Sequence, residues 1–179
     1  ILYHLLTGRP PFQAESLPTL LKQVVETEPV APRLLDLNQA VVGMLKMLSR
    51  VIGEHIDLAW QPAGESMMVN IDPTQIEQLL VNLCVNARDA IADVGRITIS
   101  TRPATSSHPF VGEPQEVPAG DYVVLEVGDN GIGMEREILT HLFEPFFTTK
   151  EIGQGTGLGL ATVYGIVQQN GGGIHVAST

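Results

Sequence analysis

Helical and strand-like periods alternate along this sequence and predict an α/β domain over residues 34–179. Two glycine-rich turns sit where such a domain can hold a ligand. The first, Asp129-Asn130-Gly131-Ile132-Gly133-Met134, follows an extended apolar run at 122–127, so a carboxylate and two glycines close a buried strand. The second, Gly155-Thr156-Gly157-Leu158-Gly159-Leu160, opens a helix. A long helix at 72–92, with its polar residues gathered on one stripe, supplies the third observation.

Residues 1–33 read as two short helical segments, broken at Gly8 and Pro10-Pro11, followed by a linker rich in proline. From Leu35 the pattern tightens. Leu37, Val41, Val42, Leu45 and Leu48 recur at helical spacing, and residues 56–60 alternate as a strand. Asp72-Pro73-Thr74-Gln75 then starts a helix, with Asp72 as N-cap, Pro73 at the first helical position and Gln75 at the third. This helix packs Ile76, Leu79, Leu80, Leu83, Ala87, Ala90 and Ile91, and leaves Gln75, Gln78, Asn82, Asn86, Asp89 and Asp93 on its polar stripe.

Gly95 ends that segment, and 96–101 alternates as a strand. Residues 103–118 carry four prolines and no period, which predicts a loop to the strand at 122–127. After the Asp129 turn, 135–143 suits one short helix. Residues 144–154 have no regular period and read as a mobile cover, one end pinned to the core by Phe146 and Phe147. The helix opened at 155–160 runs to 169 with Leu160, Val163, Ile166 and Val167 as its buried face. Gly171 and Gly172 close it, and 174–177 is a last strand.

The chemistry of the three stretches converges. A strand-end carboxylate flanked by glycines can accept a hydrogen bond from an exocyclic amine such as that of adenine, although Asp-Asn-Gly is also ordinary hairpin chemistry. A polar stripe is commonly a solvated face, but such faces favour Lys and Glu, whereas Asn82 and Asn86 are poor helix formers. Their amide oxygens, one turn apart, suit a hard cation such as magnesium that keeps its waters and phosphate ligands. A glycine-rich loop running into a helix start offers free backbone N–H groups and the positive end of a helix dipole to phosphate. The glycine spacing excludes the Rossmann fingerprint, and no Gly-Lys-Ser/Thr follows, which excludes a P-loop.

Composition narrows the class. The 179 residues are 44% hydrophobic, enough for a sizeable core, and carry a net charge of −10, which argues against nucleic acid as a partner. Phosphate must then be held by local donors. The single cysteine, Cys84, excludes a disulfide framework and suits a reducing compartment. No apolar run is long enough to span a bilayer, and no signal peptide is visible, so no membrane contact is expected of this domain. The first residue is not Met, which suggests a piece of a longer chain.

Four motifs in order, NLCVNARDA at 82–90, DNGIGM at 129–134, FEPFFTTK at 143–150 and GTGLGL at 155–160, closely resemble the N box, first glycine box, phenylalanine box and second glycine box of the GHKL ATPase superfamily. Within it, residues 35–179 resemble the ATP-binding catalytic domain of a bacterial sensor histidine kinase of the nitrogen-regulation and cell-cycle type. The resemblance implies a two-layer α/β sandwich of the Bergerat type, a mixed sheet backed by three helices, with ATP and magnesium held between the helices and a lid.

Position by position, it makes Asp129 the acceptor of the adenine amino group and Asn86 the magnesium ligand, with Asn82 on the preceding turn. Gly131 and Gly133 leave room for the base, and Gly155, Gly157 and Gly159 face the phosphates. Thr148, Thr149 and Lys150 belong to the lid, and Lys150 reaches for the terminal phosphate. Asp89, Met134, Phe146, Thr156, Leu158 and Leu160 complete the implied nucleotide-contacting set, and Asn82, Asn86 and Lys150 carry the implied catalysis. Arg88 could also reach phosphate, or stand as a plain helix-surface arginine.

The implied activity is that of an ATP-dependent protein-histidine kinase. Its partners would be a dimerisation domain bearing the phosphoacceptor histidine and a downstream response-regulator receiver domain. The implied location is the cytoplasm, including the cytoplasmic part of a membrane-bound sensor. In hydrolytic relatives of the superfamily, such as gyrase, a glutamate one turn before the N-box asparagine activates water. Asn82 stands there in this sequence, and an amide cannot take that proton.

The sequence departs from the family in three places. None of His4, His55, His108, His141 or His175 is followed by Asp or Glu, so the acceptor motif is missing. Residues 1–33 instead resemble the end of a serine/threonine protein kinase lobe, without its catalytic parts. The carboxyl end stops before the family's final strand, which would leave a sheet edge unpaired. A non-catalytic ATP-sensing or partner-binding module is the alternative function.

Overall fold

The computed structural model describes residues 33–106, 110–111, 116–150 and 155–178. Strand β1 (Arg33–Asp36) leads directly into helix α1 (Leu37–Ile52). Asp36 makes the junction, its carboxylate accepting from the Asn38 N–H at 3.0 Å as an N-cap. The same carboxylate accepts from the Ser66 hydroxyl at 2.6 Å, and this bond leads the causes that hold Asp36 below the usual carboxylate range. Strands β2 (Ile56–Gln61) and β3 (Met68–Ile71) follow, then helix α2 (Pro73–Ala90), strand β4 (Gly95–Ser106), the short pair β5 (Phe110–Val111) and β6 (Glu116–Val117), and β7 (Gly120–Asp129). Helices α3 (Arg136–His141) and α4 (Gly159–Gln169) complete the described elements.

The principal sheet has the order β2-β4-β7 and is mixed, with β4 parallel to β2 and antiparallel to β7. β3 pairs antiparallel with β1 in a second small sheet, and β5 with β6 in a third. Ile97, Ile99 and Thr101 alternate along β4 and are buried, so one face of the central strand carries the core. Helices α1, α2 and α4 cover it as the second layer, α2 in the middle against both others. Leu37, Val41, Met44, Leu48 and Ile52 come from α1. Ile76, Leu79, Leu80, Cys84 and Ala87 come from α2, and Val163 and Ile166 from α4. This is the α/β sandwich that the sequence predicts.

Thr101, the one buried polar residue among the described residues, clips the loop after β2 to α1: its hydroxyl accepts from the Ala63 N–H at 3.0 Å and donates to Asn38 Oδ1 at 2.6 Å. The Asn38 amide returns two bonds, to the carbonyls of Ala63 and Glu65 at 3.3 and 2.9 Å. Every polar atom of the clip thus has a partner, as a half-buried position demands.

Several expectations change. The strand ending at Asp129 is half-buried, because β7 is an edge of its three-stranded sheet. The proline-rich stretch from 103 is not all loop. β4 runs on through Pro103 to Ser106 because β7 continues beside it, Ser106 opposite Gly120. The expected last strand is a single bridge residue, Ile174. β1 and β3 were not legible as strands, since each is four residues long and, among the described residues, they pair with each other alone. The expected segment at 1–33 lies outside the described residues except for Arg33, which begins β1. Among the described residues no helix is long and apolar enough to cross a membrane.

Candidate functional site

Helix α2 positions the site. Asp72 caps it, accepting from the Thr74 N–H at 2.8 Å, and Pro73 starts it with a backbone angle already helical. Asn82, Asn86 and Ala90 then recur every fourth residue on one stripe, roughly 12 Å from end to end at 1.5 Å per residue.

At one end of the stripe lies the start of α4. A Cβ built on Gly159 would sit 3.6 Å from Asn82 Oδ1 and 3.7 Å from Asn86 Nδ2, so the second glycine box faces both N-box amides. No side chain caps α4 at Leu158, and its first-turn N–H groups have no partner within the helix. A helix start left this way presents free backbone N–H groups and the positive end of the helix dipole beside two amides.

At the other end the first glycine box docks on the end of α2. The Ile132 N–H donates to the Ala90 carbonyl at 3.0 Å, satisfying one of the helix's last acceptors. Gly131 is needed for this approach, because a Cβ there would lie 2.5 Å from that same carbonyl oxygen. Asp129, last residue of β7 and exposed, accepts from the Gly131 N–H at 2.8 Å through Oδ1, which shapes the turn. Its Oδ2 has no partner among the described residues. Asn130 ties the turn to β4, its Oδ1 accepting from the Arg96 N–H at 2.8 Å. Met134 lies at the far end of the turn, where its N–H donates to the Ser178 hydroxyl at 2.7 Å.

The phenylalanine box and the second glycine box cross one another. The Phe146 N–H donates to the Gly157 carbonyl at 2.9 Å, and a Cβ on Gly157, where φ is +63°, would run into the Phe146 backbone. Phe146 itself is held at φ +70°, an uncommon conformation for a side chain of its size. Its ring is 73% exposed, so the expected pin to the core fails at this position. Phe147 is half-buried instead, packed beside His141 with ring centroids 5.7 Å apart. Thr148 lies over Gly155, whose Cβ position is 2.7 Å from Thr148 Oγ1, and Thr149 is exposed. Thr156 accepts from the Leu158 N–H at 3.3 Å, and Leu160 is half-buried at the start of α4.

A charge cluster lies at the last turn of α2. Asp89 Oδ1 accepts from Arg88 Nε and Nη2 at 2.8 and 2.5 Å, and Asp89 Oδ2 pairs with Lys150 Nζ. Arg88 also donates to the Val51 carbonyl at 3.0 Å, tying α2 to α1. Desolvation pushes the Asp89 carboxyl up, but the hydrogen bonds and charges of Lys150 and Arg88 together outweigh it and hold the group below its usual range. Lys150 is therefore turned to Asp89, and Arg88 is engaged in structure.

The polar stripe also divides. Gln75 belongs to packing, not to the site, because its amide donates to Gln169 Oε1 at 3.0 Å and accepts from Asn170 Nδ2 at 3.0 Å, joining the start of α2 to the end of α4. A separate cavity of about 590 Å³ between α3, Tyr164 of α4 and residues 174–176 touches none of the expected nucleotide-contacting residues.

A mixed three-stranded sheet under three helices, with two glycine boxes at either end of an asparagine stripe, defines an ATPase domain of one family. Residues 71–179 match the model of the Histidine kinase-, DNA gyrase B-, and HSP90-like ATPase family, and the chain belongs to that family. It is 41% identical over 166 residues to the sensor kinase CckA of Brucella abortus (strain 2308), covering 93% of this chain and 18% of that protein. It is 34% identical over 159 residues to the sensor histidine kinase ZraS of Escherichia coli (strain K12), covering 88% of this chain and 30% of that one. The chain thus spans less than a third of the length of these curated relatives. Among solved structures, the mycobacterial sensor histidine kinase MprB shares its fold (TM-score 0.61, 21% identity, 78% of this chain and 80% of that chain). So does the nucleotide-free catalytic domain of the histidine kinase ThkA (TM-score 0.51, 28% identity, 75% of each chain).

Proposed function

We propose that this chain binds ATP with a magnesium ion and holds the γ-phosphate for in-line transfer to a histidine on a separate dimerisation domain, from which a response-regulator receiver domain takes it. The observation that carries this reading is the facing of Gly159 at the start of α4 with Asn82 and Asn86 of α2. The residues present fit such a ligand. Asp129 offers an exposed carboxylate to an exocyclic amine, and Gly131 brings the turn against α2 where any side chain would collide. The N-terminus of α4, with no side-chain cap, would offer its N–H groups to phosphate.

Asn86 would be the protein ligand of magnesium through its amide oxygen. Among the described residues no cluster of three or more His, Cys, Asp or Glu is present, so phosphate and water oxygens would fill the remaining positions. Magnesium, when bound, would offset phosphate charge and fix the in-line geometry. Asn82 cannot act as a general base, so this chain favours holding ATP for transfer over hydrolysing it. Lys150 would offset charge at the terminal phosphate. Such a domain works in the cytoplasm, alone or as part of a membrane-bound sensor.

Calorimetry on the full chain tests the reading. Magnesium-dependent ATP binding is expected, with a loss of roughly 100-fold in Asp129→Ala, near the upper end for a hydrogen bond to a charged group. Unchanged affinity in that variant sinks the proposal. Labelled ATP should mark an added sensor-kinase dimerisation domain and leave this chain unlabelled. A chain that binds ATP yet never labels any such domain would be the sensing module instead.

A further inference from the structure

We infer that Asp89 is a counter-ion that parks Lys150 when no nucleotide is bound, and that a triphosphate must draw the lysine away from it. The inference rests on the ATP-binding reading above and names a competitor within the same site. Lys150 follows the phenylalanine box, and its aliphatic chain lies against Gly155 of the second glycine box, Cδ being 3.2 Å from the Cβ position there. Its ammonium group nevertheless points to the last turn of α2, onto Asp89 Oδ2. The other Asp89 oxygen is held by Arg88, which is itself fixed to the Val51 carbonyl. Asp89 is therefore a rigid acceptor, anchored to two helices, while Lys150 is the long and rotatable partner.

A lysine so engaged has its charge neutralised and its donors partly used. Bringing it to a phosphate requires breaking the pair, so the free energy of that pair is subtracted from the affinity for ATP. The pair is partly exposed, with side-chain exposures of 33% for Lys150 and 24% for Asp89, which puts its effect at the modest end. Asp89, which the family resemblance counts among the nucleotide contacts, then acts instead through Lys150 as a positioning residue, because both its oxygens are taken by Arg88 and Lys150. It sets how readily the glycine-rich loops engage the terminal phosphate.

A double-mutant cycle on the full chain tests this, with magnesium-ATP and magnesium-ADP affinities measured by calorimetry. Asp89→Asn is expected to tighten ATP binding roughly two- to five-fold, the range of a partly exposed ion pair. The gain should be smaller for ADP, which lacks the terminal phosphate, and should vanish in the Lys150→Met background. Asp89→Glu, which keeps the charge, should stay near wild type. Weakened or unchanged ATP binding in Asp89→Asn overturns the inference. So does a gain that persists in Lys150→Met, which would mean that Asp89 simply repels polyphosphate. Should Asp89→Asn not fold, the Asp89 carboxyl carbon resonance of the wild-type chain decides: it should move on adding magnesium-ATP and much less on adding magnesium-ADP, and equal or absent shifts overturn the role. ATP binding that is insensitive to Asp89 removes this inference alone, whereas absence of ATP binding by the wild-type chain removes the ATP-binding reading and this inference with it.

Discussion

Gly131 and Cys84 show how single residues are constrained by their surroundings. Gly131 lies where the first glycine box meets the last carbonyl of α2, with no room for a methyl group. Gly131→Ala is expected to cost about 1–3 kcal/mol as the turn is pushed off the helix. Because the displaced turn carries Asp129, ATP affinity should fall with stability. Denaturant unfolding and calorimetry read the two effects, and a stable variant with wild-type affinity would contradict the close approach. Cys84 is fully buried on α2, and desolvation pushes its thiol from 9.0 up to about 11. An unfolded chain ionises this thiol near pH 9, while the folded one keeps it neutral until about pH 11. The contribution is therefore intact below pH 9 and is lost as pH rises through the folded value. Urea midpoints measured across that window should fall less steeply in Cys84→Ala than in wild type.

Among the elements, α2 carries the N-box residues of the candidate site, and two polar ties brace the layers around it. The Thr101 clip holds β4 and the loop after β2 against α1. Thr101→Val keeps the shape but strands the Ala63 N–H and the Asn38 amide, which should cost about 1–3 kcal/mol. Nucleotide affinity should be unchanged, since the clip contacts neither glycine box. Unfolding in denaturant and ATP calorimetry check the two halves of that expectation. The amide tie between Gln75, Gln169 and Asn170 sets the opposite ends of α2 and α4 together. Gln75, a member of the polar stripe, therefore joins two helices through its side chain.

At the scale of the whole molecule, the site joins elements that are distant in sequence, so ligand and fold should be thermodynamically linked. ATP held at roughly one hundred times its dissociation constant should stabilise the domain by about 2.7 kcal/mol, raising Tm by ~5–10 °C for a chain of this size. Asp129→Ala should remove that rise, and thermal melts with and without magnesium-ATP measure it. The net charge of −10 makes the local donors necessary, because no general positive field is available to attract a polyphosphate.

Sequence by itself determined the helices, the central strands and the four boxes, because each rests on local chemistry: the Asp72-Pro73 start, the alternation of Ile97 and Ile99, and glycines where a turn must be tight. It could not show that Lys150 turns to Asp89, that Gln75 ties two helices, or that Phe146 faces solvent, since each depends on which residues meet after the chain is folded. Tertiary structure alone decided the partners of β1, β3 and the end of β4, because a short or proline-bearing strand is held by its neighbour's hydrogen bonds more than by its own propensity.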